Sequence, residues 1–264
     1  MAHRLQLIGG GRMGEALLGG LLAGGWARPG DLAVVEKIPD RRAELADHFA
    51  EVTVTDTPLE GVDAVLAVKP DVAAEAAALL REAGVGRVLS IAAGVTTARL
   101  QAALDEGARV VRAMPNTPAL VGAGAAAIAA GRHADDDDLA WATGILEAVG
   151  TVVACDESLL DAVTGLSGSG PAYVFWLAEA LMAAGVEVGL TPAMADALTR
   201  QTLLGAARLL VESGESPADL RAAVTSPGGT TARGIAELES RGTAAAVVAA
   251  VVAATERSRE LGGS

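Results

Sequence analysis

Aromatic side chains are nearly absent, 2% of 264 residues. Few flat rings remain on which bases could stack, and 33 acidic residues against 20 basic ones give a net charge of −13. Both features argue against a nucleic-acid binder. Cysteine occurs once, at Cys155, which excludes an internal disulfide and fits a reducing compartment. Three scattered histidines (His3, His48, His133) and no paired cysteines leave a His/Cys zinc site short of ligands, so no metal is expected. Long apolar runs are missing too. The stretch Pro171–Leu190 is broken by Glu179 and Glu187, and Ala244–Ala254 is about half a bilayer span. A glycine-rich turn follows within nine residues of Met1, too soon for a secretory signal. These absences lead to the expectation of a soluble, cytoplasmic protein that does not associate with membranes.

What is present is the balance of a packed globular chain, 51% hydrophobic and 20% charged. The length suggests one or two domains and suffices for a core without staples. Short β-branched runs at Leu5–Ile8, Leu32–Val35, Thr53–Thr55, Ala64–Val68, Val88–Ile91, Val110–Met114 and Thr151–Val153 predict strands. Ala/Leu-rich stretches such as Met13–Ala23, Arg41–Phe49 and Val72–Ala83 predict helices between them. That alternation implies an α/β domain with a parallel-rich sheet covered on both faces. From Ser158 onward no strand is expected. Proline near a first helical position marks helix starts at Gly170-Pro171, Thr191-Pro192 and Ser216-Pro217. The expected division is a dinucleotide-binding domain over 1–157 and an all-helical domain over 158–264, with a hinge at Gly165–Pro171. Ala172–Val188 is apolar on nearly every side, which predicts burial all round and points to a partner chain. The acidic run Asp135–Asp138 reads as a helix start on a solvated surface.

The strand Leu5–Ile8 leads into Gly9-Gly10-Gly11-Arg12-Met13-Gly14 and then a helix. In this strand, G-x-G-x-x-G, helix pattern Gly9 permits the tight turn and Gly11 lets the backbone approach a pyrophosphate. Gly14 allows close helix–strand packing, and the helix N-terminus offers N–H groups to the phosphates. Glu36, about 20 residues on, could accept from a ribose 2′-hydroxyl, which favours NAD. Lys37, Arg41 and Arg42 could instead neutralise a 2′-phosphate, so the sequence leaves the two dinucleotides open.

Ligands of open α/β sheets sit beyond the carboxyl ends of the strands. Three further ends fall on that rim: Ala67-Val68-Lys69-Pro70, Ala92-Ala93-Gly94 and Met114-Pro115-Asn116. The expected cofactor contacts are therefore Gly9, Gly11, Arg12, Met13, Gly14, Glu36, Lys37, Ala67, Val68, Lys69, Pro70, Ala93, Gly94, Met114, Pro115 and Asn116. A second glycine-rich segment, Thr225-Ser226-Pro227-Gly228-Gly229-Thr230-Thr231, opens another helix. Its N–H groups, dipole and hydroxyls suit a small carboxylate. Ser167-Gly168-Ser169-Gly170-Pro171 fails as a nucleophile elbow, because neither serine has glycine at both −2 and +2; it reads as a hinge and helix cap.

Taken together, Gly9–Gly14, Ala67–Pro70, Arg112–Ala119, Ser167–Tyr173 and Ser226–Thr231, in this order and spacing, resemble the pyrroline-5-carboxylate reductase family over essentially the whole chain. The resemblance implies a Rossmann domain followed by an all-α dimerisation domain, and homodimers or assemblies of dimers. It implies reduction of the C=N bond of 1-pyrroline-5-carboxylate to L-proline, with NADPH as the usual donor and NADH as an alternative. It also implies that Ser226, Gly228, Gly229, Thr230 and Thr231 form the substrate site, with the Thr231 hydroxyl facing the ring nitrogen as the catalytic group. Glu36-Lys37 stand where the family often has small polar residues. The chemistry is compatible: hydride addition to an imine needs positioning more than a strong protein acid. Two competing readings are a 3-hydroxyacid-type dehydrogenase and a non-catalytic dinucleotide sensor. The first would need a Lys or His in the second domain, yet none follows His133; the second would have no use for Ser226–Thr231.

Overall fold

The computed structural model describes residues 3–263. The chain runs β1 (Leu5–Ile8), α1 (Arg12–Ala23), β2 (Leu32–Val35), α2 (Pro39–His48), β3 (Thr53–Thr55), β4 (Ala64–Leu66), α3 (Ala73–Glu82), β5 (Arg87–Ser90), α4 (Thr97–Ala103), β6 (Arg109–Met114), β7 (Gly124–Ala130), α5 (Asp136–Leu146), β8 (Gly150–Ala154) and α6 (Leu160–Val163). A π-turn over Thr164–Gly168 continues α6. Then come α7 (Gly170–Glu187), α8 (Pro192–Glu212), α9 (Pro217–Ala223), α10 (Thr230–Ser240) and α11 (Thr243–Gly262).

The strands form one sheet in the order β3-β2-β1-β4-β5-β6-β7-β8. All neighbours are parallel except the antiparallel pair β6/β7. The period-two alternation of the strands sorts their side chains onto two faces. Leu5, Leu7, Leu32, Val34, Val65 and Leu89 join α1 and α5 on one side. Ile8, Val35, Ala64, Leu66 and Val88 join α3 and α4 on the other. A fully buried Leu contributes about 1.5–3 kcal/mol, so the doubly covered sheet is the main source of stability in this part. The strand order reverses between β1 and β4, which opens a crevice above their carboxyl ends.

Most predicted elements recur with ends shifted by one or two residues. β7 is the exception. Its sequence, Gly-Ala-Ala-Ala-Ile-Ala-Ala, carries no alternation and was not expected as a strand; it forms because β6 and β8 pair with it on either side. The acidic run does start a helix, with Asp135 and Asp138 capping each other reciprocally. The expected solvated surface is wrong for Asp138, however. That residue is fully buried and faces the guanidinium groups of Arg109 and Arg87 at 3.3 and 3.6 Å.

The chain divides into two compact units, residues 3–169 with 252–263, and residues 170–251. The division falls inside Gly165–Pro171, which is helical in structure, and the end of α11 belongs to the first unit. The second unit is entirely helical. Thr191 and Ser216 cap α8 and α9 by accepting from Met194 N–H and Asp219 N–H. Helix α7 packs on α8 where Gly185 meets Ala195. The expectation that Ala172–Val188 is buried all round is not met within one chain. No residue of α7 is buried, and Phe175 and Trp176 are 63% and 66% exposed. Among the described residues no single helix is long and apolar enough to cross a membrane.

Candidate active site

The loop after β1 is shaped by three glycines with different duties. Gly9 adopts φ +105°, and a Cβ there would lie 2.6 Å from the carbonyl oxygen of Ala67. A Cβ on Gly14 would lie 2.2 Å from the carbonyl oxygen of Gly9, so α1 can approach the loop only through glycine. Gly11 differs: nothing lies within 4 Å of its Cβ direction, so the space beside it is open to a ligand. Gly11 is the N-cap of α1, and Arg12 and Met13 supply the first-turn N–H groups, which lack intrahelical acceptors. An open glycine beside a helix N-terminus is what a pyrophosphate requires.

Beside this loop runs a groove of about 380 Å³, lined among others by Gly9, Gly11, Glu36, Lys37, Ala67, Val68 and Lys69. Seven of the residues expected from the sequence thus meet on one wall system. β4 ends at Leu66, two residues earlier than predicted, because Ala67 leaves the strand after donating its N–H to the Ile8 carbonyl. Pro70 then fixes the first turn before α3.

Glu36 sits at the carboxyl end of β2, half-buried. Its Oε2 accepts from Gly10 N–H and its Oε1 from Ile38 N–H, both at 2.9 Å. The cations that follow it are engaged. Lys37 Nζ lies 2.8 Å from Glu75. Arg41 donates to the Gly10 carbonyl and pairs with Glu15 and Glu44. Arg42 donates to the carbonyls of Glu36 and Lys37.

The other two rim loops lie at β5 and β6. Ala93 and Gly94 follow β5; Gly94 has φ +72°, and a Cβ there would lie 3.7 Å from Gly262 at the end of α11. Ser258 Oγ on α11 also donates to Asp161 at 2.6 Å. Met114, Pro115 and Asn116 leave β6. The Asn116 carboxamide donates to the Ser167 carbonyl at 3.0 Å and accepts from Ala125 N–H at 2.9 Å. Met114 Cε stands 2.7 Å from where a Cβ on Gly168 would be. Asn116 therefore fixes the loop, and its side chain is already committed to backbone partners.

Beneath this rim lies a polar network that the sequence reading did not include. Arg112, 6% exposed, pairs with Glu157 at 3.1 Å, and Thr97 donates to the same carboxylate from its N–H and its hydroxyl. Burial pushes the Glu157 carboxyl up, but the hydrogen bonds from Thr97 and Arg112 outweigh it and hold the group below the usual range. The available signal was an arginine inside the apolar run Val110–Met114, which a buried strand tolerates only with a partner. The lone Cys155 is half-buried, and burial together with Asp156 pushes its thiol up.

The second glycine-rich segment belongs to the helical unit. Gly228 adopts φ +73° and Gly229 is the N-cap of α10. Gly229 N–H donates to the Ser226 carbonyl at 3.0 Å, and a Cβ on Gly229 would lie 2.5 Å from Ser226 Oγ. Thr230 and Thr231 form the exposed first turn of α10. No side-chain hydrogen bond caps this helix, so its leading N–H groups lack intrahelical acceptors beside two exposed threonines.

Comparison with known proteins agrees with this geometry. Residues 157–261 match the family model described as pyrroline-5-carboxylate reductase dimerisation. Residues 4–94 match one described as NADP oxidoreductase coenzyme F420-dependent. The chain is 46% identical to a pyrroline-5-carboxylate reductase of Synechocystis, covering 99% of both chains. It is 43% identical to that of Mycobacterium tuberculosis, covering 98% of this chain and 96% of that one. Among solved structures, the Coxiella burnetii pyrroline-5-carboxylate reductase superposes with a TM-score of 0.93 at 38% identity, covering 99% of both. The Plasmodium falciparum enzyme with NADP bound gives 0.83 at 28% identity, covering 98% of both. With near-complete coverage at these identities, the chain belongs to the pyrroline-5-carboxylate reductase family.

Proposed function

We propose that this protein reduces the C=N bond of 1-pyrroline-5-carboxylate to give L-proline, using a reduced nicotinamide dinucleotide, NADPH or NADH. The observation that carries the proposal is the pairing of two glycine-built anion cradles with full-length family membership. One cradle is the open Gly11 corner at the start of α1. The other is the uncapped Gly229 corner at the start of α10.

When bound, the nicotinamide supplies the hydride. The chain's own groups bind and orient. The Gly9–Gly14 loop and the first turn of α1 hold the pyrophosphate against a positive helix end. Ser226, Gly228, Gly229 and Thr230 receive the substrate carboxylate through N–H and hydroxyl donors. Thr231 offers its hydroxyl to the ring nitrogen, the atom that gains a proton as the adjacent carbon gains hydride. A strong acid is not required, because an imine nitrogen takes its proton from water. Catalysis then rests on positioning and on fixed donors for the carboxylate. The absence of Lys and His after His133 fits this chemistry and disfavours an alcohol dehydrogenase of the 3-hydroxyacid type.

The apolar residues left exposed on α7 are read as the seat of a second copy, making a homodimer or an assembly of dimers, with the helical region from 158 onward as the dimerisation and substrate domain. The single cysteine supports a cytoplasmic setting. The test is direct. Purified protein given 1-pyrroline-5-carboxylate should oxidise NADPH or NADH with equimolar proline formed. Absence of turnover with either dinucleotide would end the reductase reading.

A further inference from the structure

The groove beside β2 holds a feature that bears on which dinucleotide is bound more tightly. The charged residues lining it are Glu36, Asp56 and Glu75 against Lys37 and Lys69. Glu36 is fixed there by two neutral donors, Gly10 N–H and Ile38 N–H, each at 2.9 Å. These bonds orient the carboxylate without cancelling its charge. They also leave unused lone pairs, since a carboxylate has about four acceptor sites. The loop is built to admit it: a Cβ on Gly10 would lie 2.3 Å from Leu45 Cδ1 and 3.3 Å from Glu36 Oε2.

Three of the nearby cations already have partners, and Lys69, beyond β4, is the other cation of the lining. Arg41 is held by Gly10 O, Glu15 and Glu44. Arg42 is held by two backbone carbonyls and lies 4.0 Å from Asp56. Lys37 reaches across to Glu75. A ribose with free hydroxyls is a donor pair that an oriented carboxylate accepts. A 2′-phosphate is an acceptor of charge near −1.5 to −2 with nothing to donate.

Resting on the reductase reading above, we propose that Glu36 is the specificity-determining residue of the cofactor groove and that this chain binds NADH more tightly than NADPH. One and a half charges facing one at about 5 Å in a water-like medium correspond to roughly a tenfold difference. Both dinucleotides remain substrates; the proposal concerns their order.

The experiment is a titration of NADH and NADPH into wild type and Glu36→Gln, read by calorimetry or nucleotide fluorescence without imine substrate. The readout is the ratio of the two dissociation constants, which cancels any general loosening of the loop. Wild type should favour NADH by about tenfold or more, and Glu36→Gln should bring the ratio within about threefold. Lys37→Ala should move both affinities by the same factor. A wild-type ratio at or below one would overturn the proposal, as would a ratio unchanged in folded Glu36→Gln. Selective loss of NADPH in Lys37→Ala would also overturn it, by revealing a phosphate clamp. If Glu36→Gln does not fold, the wild-type ratio and Lys37→Ala decide alone. Binding of neither dinucleotide by folded wild type would refute the reductase reading itself, and this inference with it. A preference for NADPH accompanied by proline formation would refute only the inference.

Discussion

Two alanine substitutions three residues apart should separate packing from ligand binding. Gly14→Ala places a methyl group 2.2 Å from the Gly9 carbonyl oxygen, so either α1 or the loop must move. Overpacking of this kind costs about 1–3 kcal/mol. At about 2–4 °C per kcal/mol for a domain of 150–250 residues, the melting temperature should fall by about 2–12 °C. Gly11→Ala meets no atom within 4 Å, and Gly11 has φ −68°, which alanine adopts freely. Losing glycine at an N-cap costs a little, and the lower entropy of the unfolded chain offsets it. Its melting temperature should therefore stay within about 2 °C of wild type. Its methyl nevertheless occupies the space left for a pyrophosphate, so dinucleotide affinity should fall by about tenfold or more. Scanning calorimetry and a nucleotide titration on the same samples read both effects. Wild-type affinity in Gly11→Ala would refute the assigned pyrophosphate position. An unchanged melting temperature in Gly14→Ala would refute the packing argument.

Other outcomes follow from the same structure. Thr231→Ala should lower kcat by about tenfold, the loss of one good hydrogen bond, with dinucleotide affinity unchanged and activity retained in Thr231→Ser; steady-state rates with a binding titration check it. Asp138→Ala should destabilise by about 1–3 kcal/mol, because it removes the reciprocal cap with Asp135 and one partner of the partly exposed Arg87 and Arg109, and denaturant melts measure this. Glu157 has a lowered folded pKa, so its contribution is fully present above the ordinary carboxylate range and is lost as pH falls through the lowered value. Glu157→Gln should therefore cost about 1–3 kcal/mol at neutral pH and progressively less in acid, as stability measured against pH would show. Cys155, with its thiol pushed up, should react with iodoacetamide at neutral pH more slowly than a free cysteine.

Strong local physics made much of this molecule readable in advance. The near-continuous apolar runs Leu5–Ile8, Leu32–Val35 and Ala64–Leu66 report burial on both faces, and the Gly9–Gly14 spacing reports a turn that tolerates no side chains at two of its positions. Proline after Thr191 and Ser216 marked helix starts because the hydroxyl caps act within three residues. What was not readable depends on partners distant in sequence. β7 is a strand only because β6 and β8 flank it. Asp138 looked like one of four solvated carboxylates, yet Arg87 and Arg109 make its burial tolerable. Glu36 left two dinucleotides open because its bond to Gly10 spans 26 positions. The exposed apolar residues of α7 extend the same point beyond one chain, since no intrachain contact buries them.

The meeting of Gly94 with Gly262 has a practical corollary for anyone handling this protein. A larger side chain placed at residue 262 would press on the loop after β5, so substitutions at the end of α11 report on that loop as well as on the helix.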